Sequence, residues 1–263
     1  MLSGCVSFLL TPDEKADRLA TKFGLKKHIL RAGVFDLTGF SRFSSENPAT
    51  LTIYIEGDGR AWLSRSQQSG DPTPTEPDVL TMAARHPPGS GPVLYLARPC
   101  QYTVRNPARG CYSRYWSGHR YAPEVIASVD TAIEQVKRLT GAKSLVLIGY
   151  SGGGVVAALL AARRTDVAEL ITIAANLDHA EWTRQEGLTP LSGSLNPADF
   201  TDRLQTIRQT HFVGDDDDVV SPRVVDSYLR RMADRSRTRV ITVDGFDHDC
   251  CWVENWPNVL MRR

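Results

Sequence analysis

Several large classes of protein are removed by what this chain lacks. Within its 263 residues no apolar run approaches the ~20 residues that a membrane-spanning helix requires. No sign of charge dominates: 31 lysines and arginines meet 30 aspartates and glutamates, and a net charge of +1 gives no global field for nucleic acid or for a strongly acidic partner. The five cysteines include no C-x-x-C pair and the six histidines are scattered, so neither a metal nor another cofactor is expected. Internal repeats, heptads and low-complexity tracts are missing too, apart from the short stiff piece Asp71-Pro72-Thr73-Pro74-Thr75-Glu76-Pro77. What remains is 41% hydrophobic and 23% charged, enough to bury one substantial core.

That core reads as alternating strands and helices. A helix is expected over residues 13–27, because Leu19, Ala20 and Phe23 share a face behind the start signal Thr11-Pro12-Asp13. Short strands follow at 28–31 and 34–40 around Gly33, then a strand at 51–55, a helix near 78–85, a strand at 93–97 and a helix at 123–139. Further strands are expected at 145–148, 170–174, 207–213 and 239–243. Alternation of this kind predicts a mostly parallel sheet covered by helices on both faces, with ligands at the carboxyl ends of the strands. The expected division is an N-terminal segment and helix over 1–27 and a single domain over 28–263.

Gly149-Tyr150-Ser151-Gly152-Gly153 stands between the apolar run Leu145-Val146-Leu147-Ile148 and an alanine-rich stretch at 155–162. That order is strand, sharp turn, helix, with a serine at the apex. Small residues around the serine are what a nucleophile elbow needs, because helix and strand pass too close for Cβ atoms. An acid and a histidine should then follow at later strand ends. The segment 207–213 runs into Gly214-Asp215-Asp216-Asp217-Asp218-Val219-Val220, and 239–243 runs into Asp244-Gly245-Phe246-Asp247-His248.

With these three strand ends the chain resembles the α/β-hydrolase superfamily from about residue 50 onward. The resemblance implies an α/β-hydrolase fold with a small or absent cap, a nucleophile Ser151, a base His248 and an acid spaced as G-x-x-D-x-V-V, which selects Asp217. Asp215, Asp216 and Asp218 stay open as alternatives, and Asp178 is another because some members carry the acid one strand earlier. It also implies an oxyanion hole built from the backbone N–H of Gly152 and an N–H after the strand 51–55, by position that of Asp58, with Gly59 next. Glu56 stands where the family often has histidine. A carboxylate beside a developing oxyanion is repulsive, so the Asp58 side chain is expected to point away and to pair with an arginine. Relatives that release halide or open epoxides need an aspartate where Ser151 stands.

Two loops are long enough to suggest function, residues 64–78 and 98–121. The second carries Arg98, Arg105, Arg109, Arg114 and Arg120 among tyrosines and no acid. These arginines read as neutralising Glu56, Asp58 and 215–218 in preference to forming an anion site. Residues 176–199, with Trp182, lie where a lid is often inserted. Cys100 and Cys111 can close a local loop, and Cys250 and Cys251 are adjacent. At the start, Leu2-Ser3-Gly4-Cys5 resembles the bacterial lipobox, although no basic and apolar leader precedes it. The expectation is membrane attachment through a lipidated Cys5 in the cell envelope or periplasm, or a cytoplasmic protein if that match is accidental. The function expected is acyl transfer on a small-molecule ester or other acyl substrate by a serine hydrolase. A peptidase, amidase or thioesterase would use the same residues, and a non-catalytic envelope scaffold would keep only the fold.

Overall fold

The computed structural model describes residues 10–43, 49–103 and 109–263. Cys5 and Arg105 lie outside these residues. The first helix, α1 (Pro12–Lys22), starts on a reciprocal cap in which the Thr11 hydroxyl accepts from the Glu14 N–H and the Glu14 carboxylate accepts from the Thr11 N–H. It ends sooner than the sequence suggests. Gly24 takes a left-handed φ of 68°, the Leu25 N–H returns to the Ala20 carbonyl at 2.9 Å, and the chain leaves as β1 (Lys26–Ala32).

The remaining strands are β2 (Phe35–Arg42), β3 (Thr50–Ile55), β4 (Val93–Leu96), β5 (Ser144–Tyr150), β6 (Val167–Ile173), β7 (Arg208–Gly214) and β8 (Thr238–Val243). They form one eight-stranded sheet in the order β1-β2-β4-β3-β5-β6-β7-β8. β2 runs antiparallel to both of its neighbours, and every other pairing except β1 with β2 and β2 with β4 is parallel. The fold is therefore the expected α/β-hydrolase fold with a mostly parallel sheet. Six further α-helices occur among the described residues: α2 (Asp78–Ala84), α3 (Pro123–Thr140), α4 (Gly152–Arg163), α5 (His179–Gln185), α6 (Thr201–Leu204) and α7 (Pro222–Arg230). None of them is long and apolar enough to cross a membrane.

Period-two alternation divides the core between the two faces. Leu51, Ile53 and Ile55 of β3 and Leu94 and Leu96 of β4 join the cluster under α3 and α4. Tyr54, Val93 and Tyr95 from the same strands face the other way, toward α2 and the C-terminal Trp252, Trp256 and Val259. At fully buried side chains such as Ile53 and Tyr54, each residue contributes on the order of 2 kcal/mol, so neither layer is expendable. α4 is the most enclosed helix, with every residue from Gly152 to Ala161 buried. An amphipathic stripe is absent there because both sides meet protein.

Cys100 and Cys111 are disulfide-bonded across a separation of 11 residues, and Cys250 is bonded to Cys251 across a cis peptide. The first bond closes the base of the arginine-rich loop. Replacing Cys100 and Cys111 by serine should lower the unfolding free energy of the oxidised protein by about 3 kcal/mol on a chain-entropy argument. Denaturant titration checks this, and coincident midpoints for variant and parent would count against the bond.

Candidate active site

Ser151 occupies the turn between β5 and α4 with φ 49° and ψ −124°, a conformation that side-chain-bearing residues avoid. Its N–H bonds to the Ile173 carbonyl at 2.8 Å, and its own carbonyl accepts from the Gly154 N–H at 2.9 Å. Gly149 and Gly153 make the crossing feasible. A Cβ on Gly149 would strike the Gly153 carbonyl, and one on Gly153 would strike the Ile55 and Glu56 carbonyls.

His248, in the loop after β8, brings Nε2 to 3.0 Å from Ser151 Oγ and Nδ1 to 3.0 Å from Asp217 Oδ2. The carboxylate can only accept, so Nδ1 carries the proton and Nε2 is left to accept from the serine hydroxyl. Asp217, in the loop after β7, is 3% exposed and also receives the Val219 and Val220 N–H groups on Oδ1 at 3.0 and 2.7 Å. The spacing from Gly214 and the geometry thus select the same aspartate.

The other aspartates have different occupations. Asp215 Oδ1 accepts from the Gly245 N–H at 2.6 Å, joining the acid loop to the histidine loop. Asp216 and Asp218 are exposed. Asp178 caps α5 and is fully buried among Asn196, Ser227 and Arg231.

The loop after β3 lies against the elbow: a methyl added to Gly57 would sit 3.5 Å from Ser151 Cβ. This sets Asp58 beside Gly152, whose N–H is in the first turn of α4 and has no intrahelical acceptor. The expected pairing of Asp58 is present twice over, with Arg98 Nη1 at 3.1 Å and with Arg120 Nη1, and the Tyr121 hydroxyl adds a third donor at 3.3 Å. The carboxylate lies against Gly152, where a Cβ would collide with its Oδ1, and the two guanidiniums hold it there. Burial alone would raise the Asp58 pKa, but Arg120 and then Arg98 outweigh it and hold it below the ordinary value.

The other described arginines of the loop, Arg109 and Arg114, do not serve the acids expected of them. Arg109 pairs with Asp36 at 3.1 Å, and Arg114 bonds to the Tyr115 hydroxyl. Glu56 forms no ion pair with an arginine among the described residues. It is 3% exposed and accepts from the Tyr95 hydroxyl at 2.7 Å and the Gly57 N–H at 2.9 Å. Burial, only partly offset by these two donors, pushes its pKa from an ordinary 4.5 up to about 7.

Three contributors escaped the sequence reading. The Tyr150 hydroxyl donates to the His248 carbonyl at 2.6 Å and so holds the histidine loop. Gln101 Nε2 donates to the Gly57 carbonyl at 3.0 Å. Asn176 is buried in the wall beside Tyr121. Tyr150 had the clearest signal, being next to the serine. Around these groups opens a cavity of about 600 Å³, lined by Ser151 and His248 together with Trp62, Trp182, Val219 and Arg120. Among the described residues no group of three or more side chains is arranged to hold a metal ion.

A family model described as the alpha/beta hydrolase fold matches residues 100–238. The chain belongs to the alpha/beta hydrolase family. Solved structures with the same fold include an esterase from Pyrococcus furiosus, 11% identical with a TM-score of 0.62, covering 92% of this chain and 88% of its own. Est1E from Butyrivibrio proteoclasticus is 16% identical, with a TM-score of 0.59 and coverage of 85% and 90%. A serine hydrolase without a lid from Xanthomonas campestris is 19% identical, with a TM-score of 0.54 and coverage of 85% of each chain. At such identities the likeness establishes fold and not substrate. Comparison with curated protein sequences gives no match.

Glu56 supplies a pH test within this hydrolase. Because its folded pKa is raised, the native state binds its proton more tightly, and stability is full below about 4.5 and falls as pH rises toward 7. The penalty approaches about 3 kcal/mol above that window. Glu56→Gln keeps an acceptor for Gly57 and carries no charge. Its stability relative to the parent should therefore rise between pH 4.5 and 7 and level off above, as read from unfolding titrations at several pH values. A difference that does not change with pH would refute the assignment.

Proposed function

We propose that this protein is a serine hydrolase that transfers an acyl group to Ser151 and then to water, with a carboxylic ester as substrate. The observation that carries the reading is the unbroken hydrogen-bond line from Ser151 Oγ through His248 to Asp217, 3.0 Å at each link, in the wall of an accessible cavity. Ser151 attacks the substrate carbonyl as His248 Nε2 takes its proton, and Asp217 stabilises the imidazolium that results. The tetrahedral oxyanion is received by the N–H of Gly152 and the N–H of Asp58, each such donor contributing on the order of 3 kcal/mol. His248 returns the proton to the leaving alcohol. Water then repeats the sequence on the acyl-enzyme and frees the acid. Nothing in this scheme calls for a cofactor.

An ester is favoured over an amide or thioester by the esterases among the structures of like fold and by an open pocket with little cap over it. Envelope attachment through Cys5 is part of the same proposal and rests on Leu2-Ser3-Gly4-Cys5 alone.

Ser151→Ala should fold normally yet lose hydrolysis of activated esters and all labelling by a fluorophosphonate probe. A labelled Ser151→Ala protein would remove Ser151 from the mechanism. Asp217→Asn should reduce turnover by about 10⁴, since the histidine loses its orienting acceptor. Asp215→Asn should cost far less, because its partner is the Gly245 amide. Equal losses in steady-state kinetics of the two variants would reject Asp217 as the acid.

A further inference from the structure

Arg98, at the end of β4, and Arg120, just before α3, are 4% and 6% exposed, yet both turn toward one acid in the active-site wall. Their guanidiniums share the Asp58 carboxylate. Arg98 Nη2 also donates to the Arg120 carbonyl, Arg120 Nε donates to the Ser117 carbonyl at 2.9 Å, and the Arg98 guanidinium stacks over Tyr121 at 5.2 Å. Every member of the group is therefore held from at least two directions. The direct contacts do not close in charge: two cations touch one anion, the next acid, Glu56, makes no ion pair with either and holds its proton below about pH 7, and Arg98 Nε is buried without an acceptor among the described residues.

Position gives this imbalance a use. The Asp58 carboxylate rests against Gly152, and the backbone of Asp58 belongs to the same loop that abuts Ser151. An unpaired carboxylate there would oppose negative charge forming on a substrate oxygen. A carboxylate with two cations has the opposite net sign, and a preorganised charge fixed beside a developing oxyanion stabilises it. Resting on the acyl-transfer reading of Ser151, we propose that Arg98, Asp58 and Arg120 form a positioning clamp that sets the Asp58 peptide beside Gly152 and leaves one net positive charge facing the oxyanion. Asp58 supplies the anchor, and Arg120, which lines the cavity, supplies the surplus charge.

The alternative is a clamp that only supports the loop, and the sign of coupling between variants separates the two. Arg120→Gln leaves the carboxylate with Arg98 alone, so kcat should fall about 100-fold with KM nearly unchanged, the pattern of an interaction made only in the transition state. Adding Asp58→Asn removes the offending carboxylate and leaves the charge of Arg98, so the double variant should regain roughly tenfold over Arg120→Gln. A merely structural clamp predicts the reverse, the double variant being slowest. The readouts are hydrolysis of p-nitrophenyl acetate and the rate of fluorophosphonate labelling, whose phosphoryl oxygen enters the same hole, with melting curves to establish folding.

An Arg120→Gln protein that keeps kcat within threefold, or a double variant no faster than it, overturns the proposal while the parent's activity leaves the serine-hydrolase reading standing. Should Arg120→Gln fail to fold, Asp58→Asn and the double variant carry the test, since neither buries that carboxylate. Removing Arg120 from Asp58→Asn must then lower kcat, and equal rates overturn the clamp. A parent protein inert in both assays rejects the acyl-transfer reading and this inference with it.

Discussion

The architecture depends on one close approach, that of the α4 N-terminus over the carboxyl ends of β3 and β5. Backbone meets backbone there, with Gly149 against the Gly153 carbonyl and Gly153 against the carbonyls of Ile55 and Glu56. The chain reverses from strand to helix within a single residue, and Ser151 is the residue that absorbs the turn. Holding a serine at φ 49° costs about 1–3 kcal/mol. Val155, Val156, Leu159 and Leu160 of the same helix are all but completely buried, each contributing a comparable amount or more, so their packing outweighs the strain. The position of Ser151 is therefore a consequence of core packing. His248, Asp217 and the loop after β3 are placed relative to a point that the core has already fixed.

Collecting the site at the strand ends crowds buried acids together, and the structure resolves each differently. Asp58 is stabilised as an anion by two arginines, against the burial that opposes it. Asp178 is held below its ordinary value in the same contest, burial being outweighed by Asn196, Ser227 and Arg231. Glu56 has two neutral donors in contact and feels Arg98 only weakly and from a distance, and there burial wins. The contrast follows from the number and kind of donors: Asp58 has two contacting cations, Asp178 has the neutral donors Asn196 and Ser227 together with Arg231 and the Glu181 N–H, and Glu56 has two neutral donors alone in contact, which recover only part of its desolvation.

The sheet and the elbow could be read from the chain because they rest on local pattern: apolar runs that stop at glycine, small residues around Ser151, and an acid and a histidine each just past a strand. Asp217 was legible from its spacing to Gly214. Boundaries were less so, since α1 stops at Lys22 through a left-handed Gly24 whose cost and benefit depend on where β1 must begin. α7 was signalled only by Ser221-Pro222 and the spacing of Val224, Val225 and Tyr228, a short pattern that directly follows the acidic run and has charged residues on its other face. Which arginine meets which acid was not legible at all. Arg98 and Arg120 converge on Asp58 while Arg109 leaves for Asp36, a choice made by where three separate loops arrive in space.

Those loops also tie the mouth of the pocket to its floor. Gln101, next to the disulfide-bonded Cys100, donates through Nε2 to the Gly57 carbonyl at 3.0 Å and to the Pro72 carbonyl at 3.4 Å. Pro72 in turn accepts from the Arg60 N–H at 3.1 Å, and Thr73 of the same proline-rich segment receives the Tyr102 N–H at 2.8 Å. Trp116 Nε1 anchors that segment further through the Ser69 carbonyl at 2.9 Å. The rim of the cavity and the loop that carries the Asp58 amide are thus parts of one hydrogen-bonded unit. On the opposite wall α5 is tied to the loop that carries Asp217, Trp182 Nε1 donating to the Val219 carbonyl at 2.7 Å and the Ser221 hydroxyl to Gln185 Oε1 at 2.9 Å. A change in the proline-rich rim consequently displaces the loop after β3 as well as reshaping the pocket, and a change in α5 is passed to the loop of Asp217 in the same way.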